Sequence, residues 1–369
     1  MIFMIFSVER ASLLDTVSKL QRMVGSKTSM PVLEGILISA EQGKITLIAY
    51  NLEMGMKKEL YADCKEAGDI VISARLLADI LRRMNGTQVT ISADSRLNCN
   101  IKCGEATFDI MGMAAADFPE IPSVPDGKHF SLEAGTLSQM VKGTFFATAQ
   151  TEGAKPIFTG IYVTIEDGVI QFVAIDGYRL AIRKQKVDIS ENLSFILTGR
   201  SISEGVKLIE DDSEKIEINV GERQISMNIS GYEFTSRLLE GEFVNYQKTI
   251  PTSYKQRVKV NTRELIDTIE RVSLLISETF STPVRCYFNE LNVVFTCATA
   301  MGRAAETFNT TLEGPSFEIG LNSRYLLEAL KATETEQVQI LFNDSNAGVL
   351  IEPVEGEDFQ YMIMPMRLR

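Results

Sequence analysis

The sequence predicts an α+β protein built from three repeated modules, each with two helices packed on antiparallel sheet. Three observations predict this fold: a motif that recurs at near-constant spacing, two helix-like runs in every copy, and short alternating strands between those runs. The motif recurs about every 125 residues in a chain of 369 residues. A period of that length is the size of a whole domain, so we expect each copy to bury its own core.

The repeat is clearest at residues 172–183, FVAIDGYRLAIR, which read as a strand, a tight Asp-Gly turn and a second strand. Its counterpart is residues 47–58, LIAYNLEMGMKK, where Asn51 matches Asp176. A looser third copy lies near residues 295–303.

Each copy also opens with a strand and a helix-like run, and a second helix-like run follows. The first runs lie within residues 6–20, 130–145 and 258–276, and the second runs within residues 73–84, 198–209 and 322–332. Arg75, Arg200 and Arg324 occupy the same place in the three second runs.

Alternating patterns and caps place the elements within the copies. In the first copy, strands are predicted at residues 35–40, 44–49, 54–61, 87–93, 98–103 and 106–112. Ser73 and Asn322 are predicted helix N-caps, as are Thr136 or Asn261 for the other helices. Proline-bearing linkers at residues 118–129 and 249–257 divide the chain into modules 1–125, 126–252 and 253–369.

Composition favours a cytoplasmic globular protein. Apolar residues make up 45% and charged residues 23% of the chain, and no apolar run approaches the ~20 residues of a membrane span. The start, MIFMIFS, lacks a basic leader, and Met4 offers an alternative start to Met1. Five scattered cysteines favour a reducing compartment over a disulfide framework.

A search for catalytic chemistry finds no candidate site. The single histidine, His129, lies in a linker, where a solvated side chain is the simpler interpretation. Cys99 and Cys103 have no further ligand at zinc spacing. Residues 25–28, GSKT, lack the glycines of a phosphate loop and are interpreted as a surface turn. No catalytic residue, metal or cofactor is predicted.

The helix-like runs carry a recurring set of bases although the net charge is −12. An exposed helix face commonly carries Lys and Arg, but the recurrence of one Arg in three modules favours a shared surface. If all six helices faced one way, they would present a basic lining. The residues of this predicted basic surface are Arg10, Lys19, Arg22, Lys27, Arg75, Arg82, Arg83, Lys142, Arg200, Lys207, Arg263, Arg271, Arg324 and Lys331.

Several segments spread over the chain resemble the bacterial sliding clamps, the beta subunits of DNA polymerase III. These segments are MPVLEGILI (30–38), NLEM (51–54), AADFP (115–119), AIDGYRLA (174–181), FTSRLLEGEF (234–243) and YMIMPMRL (361–368). The resemblance implies the DNA clamp fold and a head-to-tail homodimeric ring, with helices lining the hole and sheet outside. It implies a non-catalytic processivity factor in DNA replication.

A ring design agrees with the charge of this chain. A protein that moves along DNA needs sequence-independent, backbone-directed contacts with the duplex rather than base contacts. A closed ring is retained by topology, so a modest basic lining suffices and the exterior is free to be acidic.

The resemblance also implies a hydrophobic pocket for short peptides of partner proteins. The partners implied are the DNA polymerase catalytic subunit, the clamp loader, and other polymerases and repair proteins; no membrane is involved. The corresponding residues are Phe158, Ile175, Gly177, Tyr178, Arg179, Leu180, Val244, Lys248, Thr249, Gly348, Met362, Ile363, Met364, Pro365, Met366, Arg367 and Leu368. Ile175, Tyr178, Val244 and Arg369 depart from the commonest family pattern, which leaves the exact peptide preference open.

By the same analogy, the subunit junction involves Phe108 and Ile110 of the first module and Leu275 and Ile276 of the third. Two rival interpretations stay open at this point. One is an enzyme such as a nucleotidyl transferase, which the lack of a carboxylate cluster and a phosphate loop disfavours. The other is a monomeric three-module peptide-binding scaffold that never encircles DNA.

Overall fold

The computed structural model describes residues 2–25, 28–124, 127–150, 153–276 and 282–368. Lys27 and Arg369 therefore lie outside the described residues, as do residues 125 and 126 of the first predicted linker.

The described elements repeat the order strand, helix, strands, helix, strands three times along the chain. The first set is β1 (Ile2–Glu9), α1 (Arg10–Leu20), β2 (Gly35–Glu41), β3 (Lys44–Tyr50), β4 (Met54–Tyr61), β5 (Asp63–Glu66), β6 (Gly68–Ser73), α2 (Ala74–Arg83), β7 (Gln88–Asp94), β8 (Asn98–Cys103) and β9 (Ala106–Met111). The second set is β10 (Lys128–Glu133), α3 (Ala134–Phe145), β11 (Gly160–Glu166), β12 (Val169–Ile175), β13 (Arg179–Lys186), β14 (Leu193–Thr198), α4 (Gly199–Gly205), β15 (Lys215–Val220), β16 (Gln224–Ile229) and β17 (Tyr232–Arg237). The third set is β18 (Gln256–Asn261), α5 (Thr262–Val272), β19 (Val284–Phe288), β20 (Asn292–Thr299), β21 (Gly302–Asn309), β22 (Leu312–Glu313), β23 (Phe317–Leu321), α6 (Ser323–Thr333), β24 (Gln337–Phe342), β25 (Val349–Pro353) and β26 (Phe359–Ile363).

The chain folds as two compact units, one formed by residues 1–135 with 201–238 and the other by residues 136–200 with 239–369. Unit 1 contains an antiparallel five-stranded sheet in the order β5-β1-β7-β8-β9 and an eight-stranded sheet in the order β10-β15-β16-β17-β4-β3-β2-β6. Helices α1 and α2 pack on each other and on β2, β3 and β4. Phe6, Leu13 and Leu81 are fully buried in this core.

Unit 2 repeats this plan. Its large sheet has the order β14-β11-β12-β13-β26-β25-β24-β18-β22, and its small sheet has the order β21-β20-β19-β23. Helices α5 and α6 pack together, with α5 on β20 and α6 on β26. Eight strands of the large sheet follow the same order as the eight-stranded sheet of unit 1. Each large sheet thus combines strands from both sides of a predicted module boundary, and the boundaries themselves stay predictions.

The predicted helices are all present, and most of the predicted caps are confirmed. The side-chain oxygens of Ser73, Asn261 and Asn322 each accept a backbone N–H from the first turn of the following helix. The prediction for Thr136 is wrong, because α3 already begins at Ala134. The Thr136 hydroxyl instead accepts a hydrogen bond from Gln185 at 3.1 Å.

Two strands and one turn depart from the sequence prediction. Strands β5 and β6 had no predicted counterpart: β5 is mostly exposed, and three consecutive residues of β6 are buried, so neither alternates with period two. The Asp-Gly turn is longer than predicted, since β12 ends at Ile175 and β13 begins at Arg179.

The repeat extends to side-chain hydrogen bonds at the hairpin turns. The Asp176 carboxylate accepts the N–H groups of Tyr178 and Arg179 at 2.9 and 3.0 Å. The Asn51 side chain accepts the N–H groups of Glu53 and Met54 at 3.0 and 2.9 Å. Asn51 and Asp176 therefore match because a side-chain oxygen of each residue accepts the same two backbone hydrogen bonds and so orders the turn.

A backbone hydrogen bond closes each copy at the same place. A residue two or three positions after the last strand donates its N–H to the strand before the second helix. The three bonds are Met113 N–H to Val71 O at 2.8 Å, Leu239 N–H to Ile196 O at 2.9 Å, and Met366 N–H to Gly320 O at 2.8 Å. Each bond joins the end of a copy to the other sheet in which that copy takes part.

None of the helices in the described ranges is both long enough and apolar enough to cross a bilayer.

Candidate functional site: an apolar groove, cationic helices and two strand edges

The predicted peptide pocket corresponds to an apolar row on the large sheet of unit 2. Ile175 lies opposite Leu180, Leu180 opposite Met362, Met362 opposite Leu350, and Leu350 opposite Leu341. Side chains in register across neighbouring strands share one face of a sheet. The row therefore forms a continuous apolar floor across five strands.

Side chains from two neighbouring segments pack against this floor. Phe158 lies in a 3-10 turn, Pro156–Thr159, and Val244 precedes a second 3-10 turn, Tyr246–Thr249. Both are partly buried against the row. Five of the predicted pocket residues are thus brought into one cluster: Phe158, Ile175, Leu180, Val244 and Met362.

Arg179 and Ile363 lie on the opposite face of the same sheet. Arg179 pairs with Ile363 in register and alternates with Leu180 along β13. The Arg179 guanidinium donates to Asp176 at 3.0 Å and to Glu328 of α6. It also lies 4.3 Å from the Tyr325 ring centroid and is only 5% exposed. Its side chain therefore positions the hairpin on α6 and does not face the apolar row.

The buried Arg179 guanidinium has protein partners for its positive charge. Two carboxylates and an aromatic face replace the water that the guanidinium loses on burial. Burial, followed by the Asp176 carboxylate, raises the pKa of Tyr325, and the neighbouring Arg179 offsets part of that rise.

The remaining predicted hairpin and loop positions are exposed and do not belong to the apolar cluster, and the Tyr178 ring lies 6.5 Å from the Tyr325 ring of α6. Tyr178 is 64% exposed at the hairpin tip, and its carbonyl accepts the N–H of Met364 at 2.8 Å. Lys248 and Thr249 are exposed, and the Thr249 hydroxyl donates to the Tyr246 carbonyl at 2.6 Å. Gly177 is exposed in the turn with a positive φ of 90°.

The segment after β26 runs from the groove to the small sheet of unit 2. Met364 is bonded at the hairpin, Pro365 and Arg367 are partly or fully exposed, and Met366 bonds to Gly320 of β23. Leu368 packs so closely on Gly320 that a Cβ there would lie 2.7 Å from its Cδ2.

Gly348 is buried beside Met362, and an added Cβ would lie 2.6 Å from the Met362 sulfur. The structure thus places this glycine where only hydrogen fits beside Met362.

Sequence reasoning missed much of the aromatic wall. Tyr162 and Phe243 stack with ring centroids 4.9 Å apart, and Phe243 meets Tyr246 edge-on at 6.3 Å. Gln171 donates to the Tyr246 hydroxyl at 2.7 Å. The signal available in the sequence was the aromatic density of residues 243–254 beside a predicted linker. The other missed members of the cluster are Val173, Ile182, Ile250, Tyr254, Leu341 and Leu350.

The described cations of the predicted basic surface all lie on helices or on the 3-10 turns that extend them. Arg75, Arg200 and Arg324 are each the second residue of a helix, and all three are exposed. The predicted register of this arginine is therefore confirmed at the level of the helices. A cation in the first turn opposes the helix dipole, so helix stability does not account for its recurrence.

Many of these cations already have protein partners. Arg10 donates to the carbonyls of Gly86 and Leu81 at 2.7 and 3.0 Å, which places it at the C-terminal end of α2. Lys19 binds Asp15 and Glu210; burial alone would lower the pKa of its ammonium group, but these hydrogen bonds outweigh burial and raise it.

The other ion pairs are partly or fully exposed; four lie within one helix or its 3-10 extension, one joins α5 to β21 and one joins α5 to α6. They join Arg82 to Asp79, Lys207 to Glu204, Arg263 to Asp267, Arg271 to Glu306, Arg324 to Glu328 and Lys331 to Glu270. Hydrogen bonding to Arg271 lowers the pKa of Glu306, and hydrogen bonding to Lys331 lowers that of Glu270.

Five predicted cations are exposed and form no ion pair with any residue that the structure describes. They are Arg22, Arg75, Arg83, Lys142 and Arg200. Lys and Arg side chains of this kind are the ones available to phosphate groups.

The predicted junction residues lie at the edges of the two small sheets. Strand β9 is the outer strand of its sheet and exposes Phe108 and Met111, with Ile110 partly buried. In unit 2, β21 is the outer strand, and the 3-10 turn Ser273–Leu275 lies against it. Leu275 and Ile276 are partly buried, whereas Leu274, which sequence reasoning missed, is 80% exposed.

Within the described residues, no group of three or more His, Cys, Asp or Glu side chains is arranged to hold a metal ion. His129 is exposed on β10, and Cys99 and Cys103 are buried on one face of β8.

Comparison with known proteins identifies the family. Family models of the DNA polymerase III beta subunit match in succession: the N-terminal domain at residues 4–122, the central domain at 131–245 and the C-terminal domain at 247–367. The curated beta sliding clamp of Staphylococcus epidermidis is 27% identical over 373 residues, which span 98% of this chain and 99% of that protein. The beta sliding clamp of Bacillus subtilis is 26% identical over 376 residues, with the same two coverages.

Solved structures give the same result. The DNA polymerase sliding clamp of Bacillus subtilis superposes with a TM-score of 0.93 at 25% identity over 100% of both chains. A Pseudomonas aeruginosa sliding clamp bound to griselimycin superposes with a TM-score of 0.90 at 26% identity, over 99% of this chain and 100% of that chain. Since three consecutive domain models match nearly the whole sequence, the chain belongs to the DNA polymerase III beta subunit family.

Proposed function

We propose that this protein is a DNA sliding clamp that encircles duplex DNA and tethers polymerases to it, and so makes synthesis processive. The observation that carries the proposal is the succession of three beta-subunit domain models along the chain. The clamp acts in the cytoplasm as a non-catalytic subunit of the polymerase assembly, and it holds DNA without reading sequence.

The strand edges support a ring of two copies. Unpaired edge strands attract other chains, and an exposed apolar edge is a liability unless it is paired. We propose that β9 of one copy pairs with β21 of the other, with Phe108 beside the turn that carries Leu274 and Leu275. A head-to-tail contact of this kind closes after two copies into a two-fold ring.

The cations support a sequence-neutral hold on DNA. We propose that Arg22, Arg75, Arg83, Lys142 and Arg200 contact phosphates of the encircled duplex. Contacts of this kind are weakened by salt and carry no base preference. They allow the protein to move along the helix once the ring is closed.

The apolar row supports recruitment of partners through short peptides. We propose that the groove between the row and Phe158 takes apolar anchors from the polymerase catalytic subunit, the clamp loader and repair proteins. Flexible side chains such as Met362 and Met364 adapt to several ligands. An apolar floor with an aromatic wall is typical of peptide hot spots.

Retention on closed circular DNA tests the ring. Protein loaded by the clamp loader onto nicked circular duplex is expected to coelute with the DNA in gel filtration. A closed protein ring can leave the duplex only by sliding off an end, and circular DNA has no end. Cutting the circle with a restriction enzyme should release it within the time of the run. Bulky proteins bound at both ends of the cut DNA should restore retention. Equal retention on circular and linear DNA would contradict encirclement.

A further inference from the structure

Unit 1 contains a large cavity that the proposed function does not use. Its volume is about 710 Å³, and it lies between the eight-stranded sheet and the segment 118–124. Leu37 and Ile48 are partly buried on its floor and alternate with fully buried neighbours on β2 and β3. These two side chains therefore project from the face of the sheet away from the core.

The floor of the cavity runs across the sheet as one row in register. Leu37 lies opposite Ile48, Ile48 opposite Lys57, and Lys57 opposite Glu233. The row continues from Glu233 to Asn228 and from Asn228 to Glu217. One half of the floor is thus aliphatic and the other half is polar and acidic.

The cavity occupies the place in unit 1 that the apolar groove occupies in unit 2. The two large sheets share the order of eight strands, and the segment 118–124 corresponds to the segment that carries Val244 and Tyr246. In register, the apolar row of unit 2 corresponds to Tyr50, Gly55, Thr235, Ser226 and Asn219.

The differences between the two rows define a different ligand. Gly55 replaces Leu180, and Ile121 fills the space, since a Cβ on Gly55 would lie 2.6 Å from its Cδ1. Phe118 and Ile121 complete the apolar wall. Polar side chains replace Met362, Leu350 and Leu341, so the far half of the cavity offers hydrogen-bonding groups instead of an apolar floor.

The charge of the cavity is acidic. Glu120, Glu217 and Glu233 line it against one lysine, Lys57, which pairs with Glu233 at 3.1 Å. The side-chain oxygen of Asn219 is buried and accepts no hydrogen bond from the described residues, while its amide nitrogen donates to the Val124 carbonyl. Three carboxylates thus line the cavity with one ammonium group and the imidazole of His129, and a ligand that brings positive charge is complementary.

We propose that this cavity is a second peptide-binding site, whose ligand is a short extended segment that carries an aliphatic or aromatic side chain next to Lys or Arg. The apolar side chain lies on Leu37 and Ile48 under Ile121, and the basic group reaches Glu217 and Glu233. A volume of this size accommodates a few side chains. The proposal does not require that the groove of unit 2 bind a peptide.

Binding of a fluorescein-labelled hexapeptide of alternating leucine and arginine, measured by anisotropy on the full-length protein, tests the proposal. Glu217→Lys is expected to weaken binding at least about tenfold, or about 1.4 kcal/mol. Its matched control is Glu222→Lys, which makes the same charge change at an exposed position outside the cavity and should alter affinity less than about twofold. Ile48→Ser should also weaken binding, and a serine–arginine hexapeptide should not bind.

Three results would overturn the proposal: no saturable binding, equal loss with Glu217→Lys and Glu222→Lys, or loss with Phe158→Ala in unit 2. The second would indicate attraction to the acidic surface as a whole, and the third would assign the peptide to the other groove. A leucine–phenylalanine peptide serves as the separate probe of the unit 2 groove, and its affinity should not change with Glu217→Lys.

Discussion

Arg179 illustrates how neighbouring residues of one motif take different tasks. It follows Tyr178 and precedes Leu180, yet its side chain lies on the helix-facing side of β13 while Leu180 lies in the apolar row. A strand alternates its faces with every residue, so a peptide in the groove meets Leu180 and not the Arg179 guanidinium. Glu328 also pairs with Arg324, so loss of Arg179 would leave only Asp176 without a cationic partner. Breaking the buried Arg179–Asp176 pair costs about 3–5 kcal/mol.

Truncation of a groove side chain separates peptide binding from folding. Phe158→Ala is expected to weaken binding of a labelled peptide with adjacent leucine and phenylalanine at least about tenfold, because an aromatic anchor of the wall is lost. Deletion of residues 364–369 should abolish binding and leave the dimer intact. Both effects are measured by anisotropy titration, with thermal melting to check the fold.

Leu291→Ala is the matched control for this experiment, since Leu291 is an exposed leucine of unit 2 outside the groove cluster. The Leu291→Ala variant should bind the labelled peptide with the same affinity as the unaltered protein. Undiminished affinity after deletion of residues 364–369 would refute the assignment of the groove.

For single residues, the sequence predicts which side chains form hydrogen bonds or apolar contacts better than it predicts where those side chains point. The Asn51–Asp176 match was readable because one hydrogen-bonding role selects similar side chains. Phe158, Leu180 and Met362 were readable from the resemblance. The contact of Tyr246 with the apolar row could not be predicted in this way. It depends on how the segment before β18 folds back over the sheet, which the local sequence pattern does not encode.

The elements at the two strand edges support the proposed junction between copies. Strand β9 carries an unusually exposed face for a strand, and the turn beside β21 exposes Leu274. In the proposed junction these two edges meet, and each has an aromatic or aliphatic side chain in reach.

Charged substitutions at this turn are expected to give monomers. Leu275→Asp combined with Ile276→Asp, or Leu274→Asp alone, would bury a carboxylate in the junction, which costs several kcal/mol when it is unpaired. Sedimentation velocity should then report the mass of one chain in place of two. Leu291→Asp, at an exposed leucine away from the turn, should sediment as the unaltered dimer.

The same experiment separates the clamp from a monomeric scaffold. If the unaltered protein sediments as one chain at micromolar concentration, that result would support a monomeric scaffold and contradict the assignment of the junction residues. Loss of the dimer with Leu291→Asp as well would show that the effect is not specific to the turn.

Sequence pattern predicted the helices and most strands but not the way the sheets are assembled. The period of 3.6 in α2 and α5 and the alternation in β2 and β8 are local signals. The pairing of β17 with β4, and of β13 with β26, joins distant parts of the chain. That pairing depends on tertiary packing, so the division into two compact units could not be derived from the repeat alone.

The whole molecule combines a net charge of −12 with helices rich in Lys and Arg. Ion pairs neutralise about half of the predicted basic set, as at Lys331 and Glu270. This distribution favours weak, salt-sensitive attraction to DNA over tight binding, because retention is assigned to the closed ring.

Neutralising the unpaired cations is expected to reduce the salt dependence of DNA binding. The variant carries Arg22→Gln, Arg75→Gln, Arg83→Gln, Lys142→Gln and Arg200→Gln. Each lost phosphate contact should reduce the slope of log K against log salt by about 0.9 for duplex DNA. Anisotropy with a short labelled duplex at several NaCl concentrations measures the slope.

The matched control neutralises the same number of paired cations: Arg82→Gln, Lys207→Gln, Arg263→Gln, Arg271→Gln and Lys331→Gln. Because those groups already bind carboxylates, the slope should change less than with the unpaired set. An equal or larger change in the control would show that the ion pairs open on DNA.

The placement of Arg75, Arg200 and Arg324 in first helical turns has an energetic consequence. Each cation meets the positive end of a helix dipole, which works against the native state by about 0.3–1 kcal/mol. Selection for heat resistance alone would therefore replace these arginines with acidic residues. A thermostable design made that way would have a higher melting temperature, but at Arg75 and Arg200 it would lose two of the cations that we propose for phosphate contact.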